Sequence, residues 1–184
     1  MTADAKAALC EIVPPAGPPA RYTQRHFPPY RYVPGLQPHP IIHPEGHSYN
    51  AAGKHPTPGP LLAPERWHES QDFLYGTDLY NHGYWWEAHE AWEGLWQQTD
   101  KSGMQGRLLQ GLIQISAAHL KLHVGQRDGV DRLLLRAIEH LGFVAEYLGN
   151  HEPFMGVGVH EMMVDVRGYF QDQKAPFPFL VLQE

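Results

Sequence analysis

Proline is distributed so unevenly along this chain of 184 residues that it divides the sequence into differently built parts. Fourteen of the 17 prolines fall within residues 1–66. Each proline removes a backbone hydrogen-bond donor and biases the preceding residue toward extended conformations. Residues 1–66 are therefore predicted to form a non-helical arm, residues 67–171 a helical domain, and residues 172–184, with two further prolines, an extended tail.

The arm carries more apolar side chains than a solvated linker would. Its possible anchors are Tyr22, Phe27, Tyr30, Tyr32, Val33, Leu36, Ile41, Ile42 and Tyr49. We expect the arm to pack on the helical domain or on a neighbouring subunit. A second interpretation, in which Arg21, Arg25 and Arg31 join the aromatic rings to bind single-stranded nucleic acid, is disfavoured by the net charge of −6, since such a binder needs a basic field.

Helical periodicity begins at Trp67 and is interrupted at glycines. The pattern predicts helices over residues 70–81, 84–98, 104–124 and 128–148, and a shorter one over residues 159–170. In the fourth helix, Asp128 is a natural N-cap and Gly149 suits the left-handed position after the last turn. Because short turns make consecutive helices pack antiparallel, the predicted fold is all-α, a bundle of two antiparallel helical hairpins plus a short fifth helix.

Composition argues against several classes of protein. No run approaches the roughly 18 apolar residues of a membrane-spanning helix, and the N-terminal segment lacks the features of a signal peptide. The single cysteine, Cys10, has no partner for a disulfide. We expect a cytoplasmic protein without a membrane or nucleic-acid partner, and the arm and the apolar tail suggest a homo-oligomer.

The second predicted helix, in GYWWEAHEAWEGLW, carries the clearest chemical signal. At about 100° per residue, one face would hold Trp85, His89, Trp92 and Trp96. This aromatic face is predicted to be buried, with His89 and Glu93 at its border and Glu90 close by. Burying a carboxylate or an imidazole there without a partner would cost folding free energy on the order of several kcal/mol. Each of these side chains therefore requires a partner, either another side chain or a metal ion.

His89 and Glu93 have the i, i+4 spacing of metal ligands, and an imidazole with carboxylates suits zinc, iron or manganese. A bound metal would lower the pKa of a water molecule toward neutrality, with Glu87 or Glu90 as a further ligand or as the general base. The sequence thus predicts a metal-binding helical protein, either a metal-dependent hydrolase or an oxidoreductase, and leaves open whether it is an enzyme.

Two residues on one helix cannot complete a metal site, which normally has three or four protein ligands. The histidine-rich part of the arm could supply the others by folding over the helix as a lid, anchored by Ile41 and Ile42. Of its imidazoles His39, His43 and His47, we predict His47 first and His39 next as ligands, because a glycine before His47 permits a tight turn.

The alternative to a metal is a hydrogen-bond network in a non-enzymatic, oligomeric interaction module. Gln110 and Gln114 on the third helix could bond His89 and its neighbours. Together with His119 and Trp92, they are predicted to surround the site and support it. His119 also has i, i+4 spacing to His123, but a histidine near a helix C-terminus gains from the dipole without any metal.

The segments GYWWEAHEAWEGLW and LLQGLIQISAAHLKLHVG resemble the domain-of-unknown-function family 309, small prokaryotic proteins with an E-A-H-E-x-x-E-x-x-W motif followed by an L-Q-G-L-I-Q helix. The resemblance covers roughly residues 71–148. It implies an all-α fold of helical hairpins and suggests a metal role for the His and Glu residues, but it implies little about activity. The H-E-x-x-E spacing also lacks the second histidine of the H-E-x-x-H zinc proteases.

Overall fold

The computed structural model describes residues 11–149 and 152–183, so Cys10 lies outside the described residues. Its α-helices in this part of the chain are α1 (Gln71–Asn81), α2 (Trp85–Trp96), α3 (Met104–His123), α4 (Arg127–Leu148) and α5 (Val159–Gln171). The all-α class is confirmed, and each of these helices begins and ends within two residues of its predicted bounds. A 3₁₀ helix, Pro64–Glu69, precedes α1, so the end of the segment predicted to be non-helical is helical after all, with proline at the first turn where its missing donor costs nothing.

The helices pack in chain order, and α3 is central because it contacts both α2 and α4. Gly76 permits the close approach of α1 and α2, since a Cβ at this position would lie 2.4 Å from the indole nitrogen of Trp92. Trp92 is fully buried and donates a hydrogen bond to the carbonyl oxygen of Phe73, at 3.2 Å. This contact determines which face of α2 packs against the core.

The ends of α4 differ in part from the prediction. Gln126, not Asp128, occupies the N-cap position, and no side chain caps the helix. Asp128 lies in the first turn instead, where its negative charge still favours the helix dipole. Gly149 adopts the expected left-handed conformation, with φ of 70°.

A buried carboxylate on α1 holds the start of the arm. Asp78, which is 1% exposed, accepts hydrogen bonds from the backbone N–H of Tyr22 at 2.7 Å and of Thr23 at 2.9 Å. The hydroxyl of Thr23 donates to the same carboxylate at 2.7 Å, and Arg21 Nε lies 3.6 Å away. The arm, defined here as residues 11–63, is therefore attached to its own helical domain by polar contacts as well as by apolar ones.

Only some of the expected apolar anchors of the arm are buried. Val33 and Ile41 are enclosed, and Tyr32 is 7% exposed. By contrast, the side chains of Leu36, Ile42 and Tyr49 are exposed to solvent. Ile42 follows Ile41 in a turn, so the two neighbours cannot both face the helices, and the prediction that both would anchor the arm was wrong for Ile42.

The arginines of the arm stack on aromatic rings of their own chain. The guanidinium carbons lie 4.0, 4.2 and 4.4 Å from ring centroids in the pairs Arg21–Phe27, Arg25–Tyr75 and Arg31–Tyr84. Such contacts contribute about 0.5–1 kcal/mol each at exposed sites. Two of these pairs thus attach the arm to α1, through Tyr75, and to the turn before α2, through Tyr84, whereas Arg21 and Phe27 pair within the arm.

The C-terminal tail occupies a groove of its own chain rather than extending toward a neighbour. The side-chain amide of Asn81 donates to the carbonyl oxygen of Leu180 at 3.0 Å and accepts from its N–H at 2.8 Å. Leu182 donates its backbone N–H to the hydroxyl of Tyr22 in the arm, at 2.8 Å. None of the helices in the described part of the chain is long and apolar enough to cross a membrane.

Replacing Asp78 with alanine should release the start of the arm. We expect the free energy of unfolding to fall by about 3 kcal/mol, because buried hydrogen bonds to a charged group are lost and backbone N–H groups are left unpaired. Urea unfolding would measure this loss, and limited trypsin digestion should cut faster at Arg21 and Arg25. Asp131→Ala, on the exposed surface of α4, is the matched control. Equal stability of the two variants would contradict the anchoring role of Asp78.

Candidate metal centre

Three possible metal ligands meet on the outer side of α2. His89, Glu90 and Glu93 each offer one ligand atom, and these atoms all lie within 4.8 Å of one another. His89 Nδ1 is 3.3 Å from Glu90 Oε1, and His89 Nε2 is 3.8 Å from Glu93 Oε2. Two ligands at about 2.1 Å from a tetrahedral metal lie about 3.4 Å apart, so small side-chain rotations suffice to bring the three together. The site is half-buried, which leaves access for water.

One ring nitrogen of His89 makes no hydrogen bond within the described residues. Its Nδ1 is shielded from solvent, yet no hydrogen bond reaches it from the described residues. The nearest carboxylate oxygen, on Glu90, is within reach but outside hydrogen-bonding alignment. A buried nitrogen without a partner costs free energy, and a coordinated metal ion is one way to satisfy it.

Glu90 is prepared to act as an anionic ligand. Burial alone would raise its pKa, but the adjacent imidazoles of His89 and His55 outweigh this effect and hold the pKa of Glu90 below its usual value. His55 Nδ1 lies 2.5 Å from Glu90 Oε2. His55 therefore orients the carboxylate from the arm, as residues behind a ligand commonly do in metal sites.

A cavity of about 400 Å³ lies beside the three ligands, between the arm and helices α1 and α2. Glu90 and Glu93 form part of its wall, and so does Glu87, one turn earlier on α2. Residues 55–58 of the arm close its outer side, with Pro58 packed against Gly94. A substrate in this cavity would contact the same carboxylates that could hold the metal.

Glu87, predicted as a ligand or base, is not part of the cluster. It is 5% exposed, and its Oε1 accepts the backbone N–H of Tyr32 at 3.0 Å. The ring nitrogen Nε2 of His47 lies 3.2 Å from the same oxygen. Glu87 thus holds the arm while it also lines the cavity.

The arm folds over α2, but its histidines meet other carboxylates than the predicted ones. His47, predicted to approach His89, Glu90 or Glu93, pairs with Glu87 instead. His39 packs edge-on with the ring of Trp86, with centroids 5.6 Å apart. Neither joins the ligand cluster.

The imidazole that does reach the cluster is His55, which sequence reasoning missed. The sequence offers little to indicate a role for His55, because this residue lies outside the histidine-rich segment of the arm. Only the lysine before it and the proline after it distinguish it from the other histidines of the arm. His43 lies in an exposed turn, where its ring accepts the N–H of Glu45 at 3.2 Å. The order of histidines along a proline-rich arm does not reveal which of them reaches a given helix.

The predicted supporting residues on α3 do not contact the cluster. Gln114 is buried, and its Oε1 has no hydrogen-bond partner in the described structure. No hydrogen bond among the described residues joins Gln110 or Gln114 to His89 or Glu93, so the proposed glutamine network was wrong. The reason is that the polar stripe of α3 points toward α4, where Lys121 packs against Gly129.

His119 is a core histidine in an aromatic box rather than a residue of the site. It is 1% exposed, its ring stacks on Trp85 with centroids 5.1 Å apart, and Phe170 and Phe177 pack around it. Its Nε2 lies 3.1 Å from the hydroxyl of Tyr80, which donates its only proton to the carbonyl oxygen of Pro178. His119 therefore carries its own proton on Nε2.

Residues 73–133 match the family described as Domain of unknown function (DUF309). The matched segment runs from α1 through α2 and α3 into α4, so it includes all three residues of the cluster. The resemblance found in the sequence is thus confirmed, and the chain carries a DUF309 domain. No curated protein matches the sequence.

Burial makes His119 a source of acid instability. Desolvation lowers its pKa from 6.5 to about 3, so the unfolded chain takes up a proton between these pH values and the folded chain does not. Above pH 6.5 the residue has no effect, and stability is lost as the pH falls below it. At pH 5 the loss from this one group is about 2 kcal/mol.

The change in unfolding free energy between pH 7.5 and pH 5 should therefore be about 2 kcal/mol smaller in His119→Gln than in the unaltered protein. Urea unfolding at the two pH values measures it. Val164→Gln, at an exposed residue that does not titrate, is the control and should leave the pH dependence unchanged. If the unfolding free energies of His119→Gln and of the unaltered protein changed in parallel with pH, burial of His119 would not be a cause of the acid instability.

Proposed function

We propose that this protein binds a divalent metal ion at His89, Glu90 and Glu93 and uses it for the hydrolysis of a small molecule. The observation that supports this most is the convergence of three ligand atoms within 4.8 Å beside a cavity. Three protein ligands leave a coordination position for water, as in catalytic zinc sites.

Hydrolysis is favoured over redox chemistry by the donor set. One imidazole and two carboxylates lack the second imidazole of the two-histidine, one-carboxylate triad of non-haem iron oxygenases. Zinc and manganese both accept such ligands, and either lowers the pKa of a bound water. Glu90 and Glu93 lie in the wall of the cavity, so a metal ion that they held would supply a water of lowered pKa beside this space.

Metal content tests the proposal directly. Protein purified without a histidine tag, then loaded with zinc or manganese and desalted, should retain about one metal ion per chain by elemental analysis. His89→Ala and Glu93→Gln should each lower metal affinity by at least tenfold, as expected when one of three ligands is lost. His68→Gln, beside an exposed glutamate, is the matched control and should retain the metal.

Activity provides the second part of the same test. Hydrolysis of small chromogenic esters and phosphate esters should require added metal and be lost in Glu93→Gln. Less than about 0.1 metal ion per chain after loading, or equal retention by the ligand variants and the control, would refute the metal centre.

A second candidate function, self-association as an assembly module, has one supporting observation. Leu135, Phe143 and Tyr147 are exposed on the outer face of α4. Exposed apolar side chains that share one face are typical of protein interfaces. The glutamine network that was part of this hypothesis does not form, but the surface itself remains suited to a second copy of the chain.

Light scattering at micromolar concentration would decide this point. If α4 forms an interface, the double variant Leu135→Glu and Tyr147→Glu should convert a dimer into a monomer, because it buries two charges in an apolar contact. Val164→Glu, at an exposed apolar residue of α5, is the control. A monomer for the unaltered protein would end the assembly hypothesis.

A further inference from the structure

The part of the arm that closes the cavity is held more weakly than the parts on either side of it. Residues 51–58, called the strap from here on, are all exposed, although residues 55–58 form the outer wall of the cavity. Pro56 and Pro58 have no N–H, and within the described residues no hydrogen bond joins the backbone of residues 55–58 to a helix. Segments with exposed backbone and few buried contacts open locally at low cost in free energy.

The arm is attached firmly just before and just after the strap. Before it, Nε2 of His47 lies 3.2 Å from Oε1 of the buried Glu87. After it, Gly59 donates its N–H to Asp72 at 2.6 Å, and its carbonyl oxygen accepts the side-chain amide of Gln98 at 3.0 Å. The strap can therefore leave the helices while the rest of the arm stays in place.

Two contacts hold the strap against α2. Nδ1 of His55 lies 2.5 Å from Oε2 of Glu90, but the imidazole is 66% exposed, and ion pairs open to solvent contribute little to stability. Pro58 rests on the bare backbone of α2 at Gly94, where an added Cβ would lie 2.9 Å from the Cβ of Pro58. Pro58 is itself exposed, so this second contact buries little apolar surface.

A turn at Gly53 provides the pivot of the strap. Gly53 has a φ of 61°, and no atom lies within 4 Å of the position that a Cβ would take there. The turn is closed by its own hydrogen bonds, since Asn50 accepts the N–H of Gly53 at 2.9 Å on its carbonyl oxygen and that of Lys54 at 3.0 Å on its side chain. The turn can therefore rotate as a unit without breaking a hydrogen bond to the helices.

We propose that the strap is a gate that opens between Gly53 and Gly59 and admits small molecules to the cavity. Its latch is the contact of His55 with Glu90. Opening uncovers the face of α2 beneath the strap, on which Ala91 follows Glu90 in the cavity wall. The gate requires no metal ion. Where the proposed function also holds, and resting on it, the gate regulates the access of substrate to the metal centre, because Glu90 belongs to both.

A thiol placed beneath the strap tests the proposal. In the full-length, metal-free protein with Cys10→Ser, the substitution Ala91→Cys puts a thiol in the cavity wall, and mass spectrometry follows its modification by N-ethylmaleimide. Because modification of a covered group follows the population of the open state, His55→Ala should accelerate it by about threefold or more. His26→Ala, at an exposed histidine of the arm, is the matched control and should leave the rate unchanged. Equal rates for His55→Ala and His26→Ala would overturn the proposal.

A second variant opens the gate from the helix side. In Gly94→Ala the new Cβ would meet Pro58 at 2.9 Å and push the strap outward, while alanine favours the helix itself. Modification of the introduced thiol should again be faster by about threefold or more. Gly142→Ala, on α4, where a Cβ would meet only a methyl group of Met163 at 3.8 Å, is the matched control.

The two results separate the gate from the metal centre. No acceleration in Gly94→Ala relative to Gly142→Ala would overturn the gate, whether or not the protein retains zinc. Acceleration in both gate variants of a protein that fails to retain zinc would leave the gate in place and refute only the proposed function. Melting temperatures verify that each variant folds.

Discussion

The structure depends on buried and half-buried carboxylates of the helices that bind the backbone of a proline-rich arm. A chain rich in proline cannot form a helix or a regular strand ladder, so its remaining N–H groups require acceptors elsewhere. Asp78 accepts those of Tyr22 and Thr23, and Glu87 accepts that of Tyr32. Asp72 receives the N–H of Gly59. The helices thus supply the hydrogen-bond acceptors that give an irregular segment a defined path.

This mode of attachment also creates the cavity. Asp72, on α1, and Glu87, on α2, hold the arm at two places, and the space left between these contacts and α2 is lined by both the helices and the arm. Each carboxylate that holds the arm has a basic side chain of the arm beside it: Arg21 at Asp78, Arg25 at Asp72 and His47 at Glu87. The cavity between the arm and the helices is therefore a direct physical consequence of how the arm is held.

Much of the fold could be predicted from sequence, because helices α1 to α5 depend on local periodicity and on glycines at their ends. The candidate ligands His89, Glu90 and Glu93 could also be predicted, since they lie within five residues on one helix, where spacing alone determines proximity. His47, His39 and His55 could not be assigned to partners in this way. Their positions depend on long-range contacts of an arm without a repeating pattern, such as Pro58 against Gly94.

The lack of long-range information in a helical pattern also explains why the sequence wrongly predicts His119 and Gln114 beside the site. Both lie on α3, and helical periodicity shows which residues share a face but not which neighbouring helix that face meets. The stripe of Gln114 and Lys121 faces α4, whereas His119 enters a box closed by Phe177 of the C-terminal tail. The tail has no periodicity to indicate that it returns to the helices, so the enclosure of His119 was not visible in the sequence.

Helix α2 combines three roles because its faces meet three different environments. Trp85 and Trp92 face the core and fix the orientation of the helix. Glu87 faces the arm, where its Oε1 accepts the N–H of Tyr32 and lies 3.2 Å from Nε2 of His47. His89 and Glu93 lie at the open edge, where ligands remain accessible to water. Rotation of α2 by even one residue would exchange these environments, so the packing of Trp92 against Gly76 positions both the candidate metal centre and the wall of the cavity.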